Sequence, residues 1–171
     1  MEAADAARLL PADVAYLDPP YNQHSYLGNY HIWESLVRWD KPKVYGIACK
    51  REDVKQRQSA FNSKVQFAET FELTLRAVRA PVIIVSFNDE GYITRKDMEA
   101  MLGGLWEGEG RVTVFESRSK RYVGAQIGVY NPSGEKIGKV GHLCNTEYIY
   151  VAKKNVYRSR QNNVGLEVAS L

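Results

Sequence analysis

Asp18-Pro19-Pro20-Tyr21 follows directly on the apolar run Val14-Ala15-Tyr16-Leu17 and joins a carboxylate, two rigid rings and an aromatic face. Such a run reads as a buried parallel strand, and open α/β sheets hold their ligands beyond the carboxyl ends of those strands. The prolines fix φ at about −65° and remove two N–H donors, so their carbonyls face a ligand without a competing donor. A planar amine has two hydrogens to give. Asp18 can accept one and the Pro19 carbonyl the other, Pro20 adds rigidity, and the Tyr21 ring can stack on the attached heterocycle. That grip would draw the amine lone pair out of conjugation and aim it at an electrophile. Asp18, Pro19, Pro20 and Tyr21 are therefore the candidate catalytic residues.

Other residues could share the work. Ser86 and Asn88 close a second apolar run, Val82 to Phe87, at the same rim as Asp18. Asn88 could contact the substrate or form the turn before Gly91. Of the aromatic residues after the motif, Tyr26 is a candidate wall for a base and Trp33 reads as core. Lys120, Arg121 and Tyr122 join charge to a ring at the start of a long arm, Lys120 to His142, and suit phosphate contact.

The elements that must position these groups alternate between strand and helix. Ala3 to Leu10 reads as a short helix before the first strand, and Asn29 to Trp39 as a second, stopped by Pro42. Ser63-x-x-Gln66 reads as a capping box opening a third, with Val65, Ala68, Phe71, Leu75 and Val78 on its apolar face. Val82 to Phe87 then returns as a parallel strand beside Val14 to Leu17 by a right-handed crossover. Thr94-x-x-Asp97 caps a helix that ends at Gly103-Gly104. Arg111 to Ser117 and Glu147 to Ala152 read as the last two strands, antiparallel to each other. The fold class is α/β, a four-stranded mixed sheet with helices.

Composition narrows the class further. The chain has 171 residues, 44% of them hydrophobic, enough for one core. No apolar run approaches a membrane span and no basic-then-apolar leader opens the chain, so a cytoplasmic location is expected. Cys49 and Cys144 are far apart and read as buried free thiols; with His24, His31 and His142 equally scattered, no metal site is expected. Residues 111 to 160 hold ten Lys or Arg against Glu116, Glu135 and Glu147, a net of +7, while the remainder sums to −4. That segregation suits a polyanionic partner facing the carboxyl-terminal third.

Four blocks carry a resemblance. Tyr16-Leu17-Asp18-Pro19-Pro20-Tyr21-Asn22, Asn29-Tyr30-His31-Ile32-Trp33-Glu34, Ser86-Phe87-Asn88-Asp89-Glu90-Gly91 and Arg121-Tyr122-Val123-Gly124-Ala125 resemble, in this order, blocks of the Dam-like (alpha-group) DNA adenine-N6 methyltransferases. The resemblance covers roughly residues 10 to 153. It implies a site-specific, adenine-specific DNA methyltransferase of the restriction-modification kind. The methyl group would pass from S-adenosylmethionine to the exocyclic amine of a flipped adenine, since the amine of a paired adenine is out of reach. It also places Asp18 within reach of the cofactor and makes DNA the partner, with no membrane and no metal.

The implied fold is the carboxyl-terminal part of a Rossmann-like methyltransferase sheet over residues 1–153, with an antiparallel last strand, then a polar tail over 154–171. Family members carry upstream a Phe-x-Gly-x-Gly turn, which cradles the methionine part of the cofactor, and a target-recognition insert. Neither stands before the Asp-Pro-Pro-Tyr strand here, and none of the Gly pairs follows an apolar strand and opens a helix. The expectation is a catalytic half completed by a complementing amino-terminal chain, binding S-adenosylmethionine weakly alone and leaving the outer edge of the first strand bare. Stacking needs the ring and not the hydroxyl, so Tyr21→Ala is expected to be severe and Tyr21→Phe mild. The rival readings are a non-catalytic nucleic-acid-binding remnant and an RNA amino-methyltransferase, which usually lacks the Arg-Tyr-Val-Gly-Ala block.

Overall fold

A computed structural model describes residues 2–22, 25–56, 58–120, 135 and 143–155. Arg121, Tyr122, most of the arm and the tail beyond residue 155 lie outside the described residues. Four strands form the main sheet: β1 (Val14–Leu17), β4 (Val82–Asn88), β5 (Gly110–Lys120) and β6 (Cys144–Lys154). Their order is β1-β4-β6-β5. β1 runs parallel to β4, and β6 is antiparallel to both β4 and β5, so the sheet is mixed as expected. β6 lies between β4 and β5, where Tyr150 and Ala152 are fully buried. An alternating sequence shows that a strand exists but not which neighbours it takes. Both terminal strands are also longer than the periodicity indicated.

Helices α1 (Ala3–Leu9), α3 (Phe67–Ala77) and α4 (Arg95–Gly103) flank the sheet. In α4 the expected capping box is present: the Thr94 hydroxyl accepts from the Asp97 N–H at 3.2 Å, and the Thr94 N–H donates to the Asp97 carboxylate at 2.9 Å. The box expected at Ser63 is absent. The Ser63 carbonyl accepts from the N–H groups of Gln66 and Phe67, Gln66 is the cap residue without a side-chain bond, and Val65 is exposed. A short 3-10 turn, Ala60–Asn62, delivers the chain so that Phe67, Phe71, Thr74 and Leu75 face inward instead. Phe67 and Phe71 stack at 5.5 Å between centroids, and with Ile83, Val85, Phe87, Met98, Leu102 and Tyr150 they form the core.

β1 is less buried than its composition suggests. It pairs with β4 alone among the described residues, and Val14 and Tyr16 are 51% and 59% exposed. Its backbone edge away from β4 pairs with no strand among the described residues.

Helix α2 (Tyr26–Arg38) begins three residues earlier than its periodicity indicated, because the Ser25 hydroxyl accepts from the Gly28 N–H at 3.0 Å and caps it there. It belongs to a second lobe that the sequence did not announce. A hairpin of β2 (Val44–Tyr45) and β3 (Lys50–Arg51) and a 3-10 turn, Glu52–Lys55, pack on it. Arg51 is buried and holds this lobe. Its guanidinium donates to both Asp40 oxygens at 2.6 and 2.9 Å, both Asp53 oxygens at 3.0 and 3.1 Å, and the Ser35 hydroxyl at 3.1 Å. Trp33, read as core, is 63% exposed, because α2 turns Gly28 and His31 inward. Cys49 and Cys144 are exposed rather than buried: one lies at positive φ in the hairpin turn, the other at the outset of β6.

Candidate active site

The Asp-Pro-Pro-Tyr segment leaves the carboxyl end of β1, where the parallel pair β1–β4 opens a crevice. Asp18 and Pro20 are exposed, Pro19 is buried and Tyr21 half-buried. Two hollows flank the motif. One, of about 290 Å³, is walled by Tyr16, Leu17, Phe61, Phe71 and Thr74 and floored by the motif itself. The other, of about 630 Å³, is lined by Asp18, Pro19, Pro20, Tyr21, Asn22, Tyr26 and Asn29. Asp18 and both prolines face both hollows. No hydrogen bond or ion pair engages the Asp18 carboxylate among the described residues, so its lone pairs are free for a ligand.

The loop after β4 and the turn before α3 pin the motif from below. The Tyr92 N–H donates to the Tyr21 carbonyl at 3.1 Å, and the Asn62 side-chain amide donates to the Asn22 carbonyl at 2.8 Å. The Tyr92 hydroxyl in turn donates to the Asn62 carbonyl at 3.0 Å. Phe87 meets the Tyr21 ring edge to face at 5.2 Å, and a Cβ at Gly91 would overlap the Phe87 ring, so the loop must carry glycine there. Asn88 donates from its amide nitrogen to the Tyr21 hydroxyl at 2.9 Å. Burial pushes the Tyr21 hydroxyl's pKa up, and Glu147, Asp18 and Glu90 push it further by charge, against the Asn88 hydrogen bond. The rim around Tyr21 is therefore negative, a field that favours a cationic ligand.

The structure brings some of the expected residues together and holds others apart. Asp18, Pro19, Pro20, Tyr21 and Tyr26 line one hollow, and the Tyr26 ring pairs with Tyr30 at 4.7 Å between centroids. Asn88 lies behind Tyr21 and lines neither hollow. Lys120 is distant. Ser117 and Asn88 both face Glu147, so Lys120 stands three residues above the rim on the far strand. Leu17 at the end of β1 pairs with Val85, three residues before Asn88, so Lys120 stands about 20 Å along and ~14 Å across from the end of β1, given a ~3.4 Å rise per residue and ~4.8 Å between strands. Asn62, Phe87 and Tyr92 carry no chemistry of their own and were not legible as part of the site; only their contacts reveal them. No helix among the described residues is long and apolar enough to cross a membrane, and no three His, Cys, Asp or Glu residues among them are grouped to hold a metal.

The four-stranded mixed α/β sheet is consistent with a methyltransferase fold. The chain belongs to the D12 class N6 adenine-specific DNA methyltransferase family, whose model matches residues 1–101. That span contains the first three of the four motif blocks. The chain is 31% identical over 90 residues to the type II methyltransferase M.FokI of Planomicrobium okeanokoites, covering 53% of this chain and 14% of that one. It is 31% identical over 101 residues to the modification methylase StsI of Streptococcus sanguinis, covering 59% and 15%. Over 156 residues it is 26% identical to the type II methyltransferase M.NlaIII of Neisseria lactamica, covering 88% and 42%. These matches span less than half the length of each relative. No solved structure gives a significant match.

Proposed function

We propose that this chain carries the amine-binding part of an adenine-N6 DNA methyltransferase that uses S-adenosylmethionine. The observation that carries the reading is Asp18: a carboxylate that no side chain or backbone group engages among the described residues, at the rim of a parallel strand pair, with a hollow on each side. The described residues suit the reacting end of the cofactor. They offer the Asp18 carboxylate, an apolar wall of Leu17, Phe61 and Phe71, and a negative rim that favours a cation. They include no Gly-rich turn between an apolar strand and a helix, so the rest of the cradle comes from elsewhere. When bound, the cofactor supplies a methyl group already activated by its sulfonium.

The chain's own residues bind and orient the amine. A flipped adenine enters the larger hollow, between Tyr21 and Tyr26, where either ring can stack on it. Asp18 accepts one hydrogen of the amine and the Pro19 carbonyl the other, so the nitrogen lone pair turns toward the smaller hollow. Both hydrogen bonds strengthen as the nitrogen gains positive charge, and Glu90 and Glu147 add to the same field. The methylated amine then loses its extra proton to water. No group of unusual basicity is needed, because orientation supplies most of the effect.

The test combines this chain with the amino-terminal portion of a relative such as M.NlaIII, labelled S-adenosylmethionine and duplex DNA. Label should appear on adenine N6, and Asp18→Ala should abolish it while leaving the circular dichroism spectrum unchanged. Label on cytosine, or label indifferent to Asp18, would overturn the reading.

A further inference from the structure

We infer that Asn88 is a positioning residue which acts through the hydroxyl of Tyr21 and does not touch the substrate. The inference rests on reading the Tyr21–Tyr26 hollow as the base site. Asn88 is 4% exposed, ends β4 opposite Glu147 on β6, and lines neither hollow. Both ends of its amide are engaged. Its oxygen accepts the Glu90 N–H at 3.0 Å, and its nitrogen donates to the Tyr21 hydroxyl at 2.9 Å. A backbone N–H can only donate, so the Asn88 oxygen must face Glu90. The two N–H groups are then turned toward Tyr21, and the backbone of the loop thereby sets the direction of the bond that holds the ring.

Tyr21 is in this way held at both ends. The Tyr92 N–H fixes its carbonyl, Asn88 fixes its hydroxyl, and Phe87 meets the ring edge to face. A ring tethered only at its Cα can swing between rotamers. A platform correctly placed for a fraction of the time binds in proportion to that fraction. The loop from Asn88 to Tyr92, with Gly91 admitting Phe87, is a bracket that keeps the ring in one orientation. The hydroxyl of Tyr21 is therefore a fastening, and Tyr21→Phe is not silent even though stacking itself uses only the ring.

The experiment measures binding of the full chain to a single-stranded oligonucleotide carrying one 2-aminopurine, followed by its fluorescence. Tyr21→Phe and Asn88→Ala should each weaken binding about 5- to 10-fold, the worth of one buried hydrogen bond. The double variant should be no weaker than either alone. Asn88→Asp keeps one oxygen for Glu90 and offers the other to the Tyr21 O–H, so it should bind closer to the parent than Asn88→Ala, and an unchanged circular dichroism spectrum guards against a folding defect in the latter. Tyr21→Ala should be weaker than all of them. The inference is overturned if Tyr21→Phe binds like the parent, or if Asn88→Ala costs a further factor in the Tyr21→Phe background, as a direct contact or a general structural role would. A parent signal that Tyr21→Ala leaves unchanged would overturn the base-site reading itself, and the role of Asn88 with it.

Discussion

In the sheet and its helices the apolar side chains face inward and carry the packing, whereas in the lobe of α2, β2 and β3 they face outward and ion pairs carry it. The first region buries Phe67, Phe71, Leu75, Ile83, Phe87 and Tyr150. The second buries His31, Arg51 and Val54 while exposing Trp33, Val37, Trp39 and Ile47. The difference bears on the site, because the larger hollow takes one wall from each region. Tyr21 is fastened to β4 and its loop, while Tyr26, 76% exposed, opens the helix of the second lobe. One wall is set by a packed core and the other by a lobe joined through directional polar contacts, so the two walls should yield to different perturbations.

The largest effect should come from the core. Phe71→Ala removes a fully buried ring and should cost about 3–5 kcal/mol, read by denaturant unfolding. Both regions should unfold together, since the second lobe has no comparable core of its own. If α2 kept its amide protection after the sheet had melted, the lobe would be an independent unit and the comparison would need redrawing.

Arg51→Ala should act locally. It removes the buried cation shared by Asp40 and Asp53, which keep only their ion pairs to the exposed Arg38 at 3.1 and 3.6 Å, and hydrogen exchange should speed up in α2 and the β2–β3 hairpin but not in β4 or β6. Acid should mimic it. Hydrogen bonding from Arg51 holds the Asp40 carboxyl below the usual carboxylate range. A lowered folded-state value means that this stabilisation is complete above the ordinary value and is lost as the pH falls through the folded one. The second lobe should therefore loosen first on acidification. Equal exchange in both regions at low pH would show that the Arg51 network does not hold the lobe.

Tyr150→Phe should be smaller and of opposite sign. The Tyr150 hydroxyl is buried without a hydrogen-bond partner among the described residues, so its removal should stabilise the sheet by about 1 kcal/mol. Burial also pushes its pKa up to about 12. A raised value favours the protonated folded state, so this contribution is intact below about pH 10 and is lost as the pH climbs toward 12. Alkaline unfolding should then be less steep in Tyr150→Phe than in the parent.

The smallest effect concerns the far strand. Lys120→Ala with Arg121→Ala should weaken DNA binding across all sequences and lower the salt slope by about two, roughly one unit per phosphate contact. An unchanged slope would leave the basic arm a solvated one.

The Asp-Pro-Pro-Tyr motif and the cap of α4 were legible in the sequence because each depends on short-range pattern, and the parallel pairing of β1 with β4 because strand–helix–strand crossovers follow one hand. An apolar run followed by Asp-Pro-Pro-Tyr reads the same wherever it is met, and Thr94 and Asp97 bond to groups three residues apart. Tertiary structure decided the rest. Ser63 failed as a cap because the turn ahead of it set which face of α3 meets the core, and Trp33 stayed outside because α2 packs on a hairpin through Arg51 rather than on the sheet. Asn88 and Tyr21 stand 67 positions apart in the chain, yet a 2.9 Å hydrogen bond joins them. Periodicity records which residues face inward, but a directional bond between distant side chains forms only once the backbone has brought donor and acceptor together.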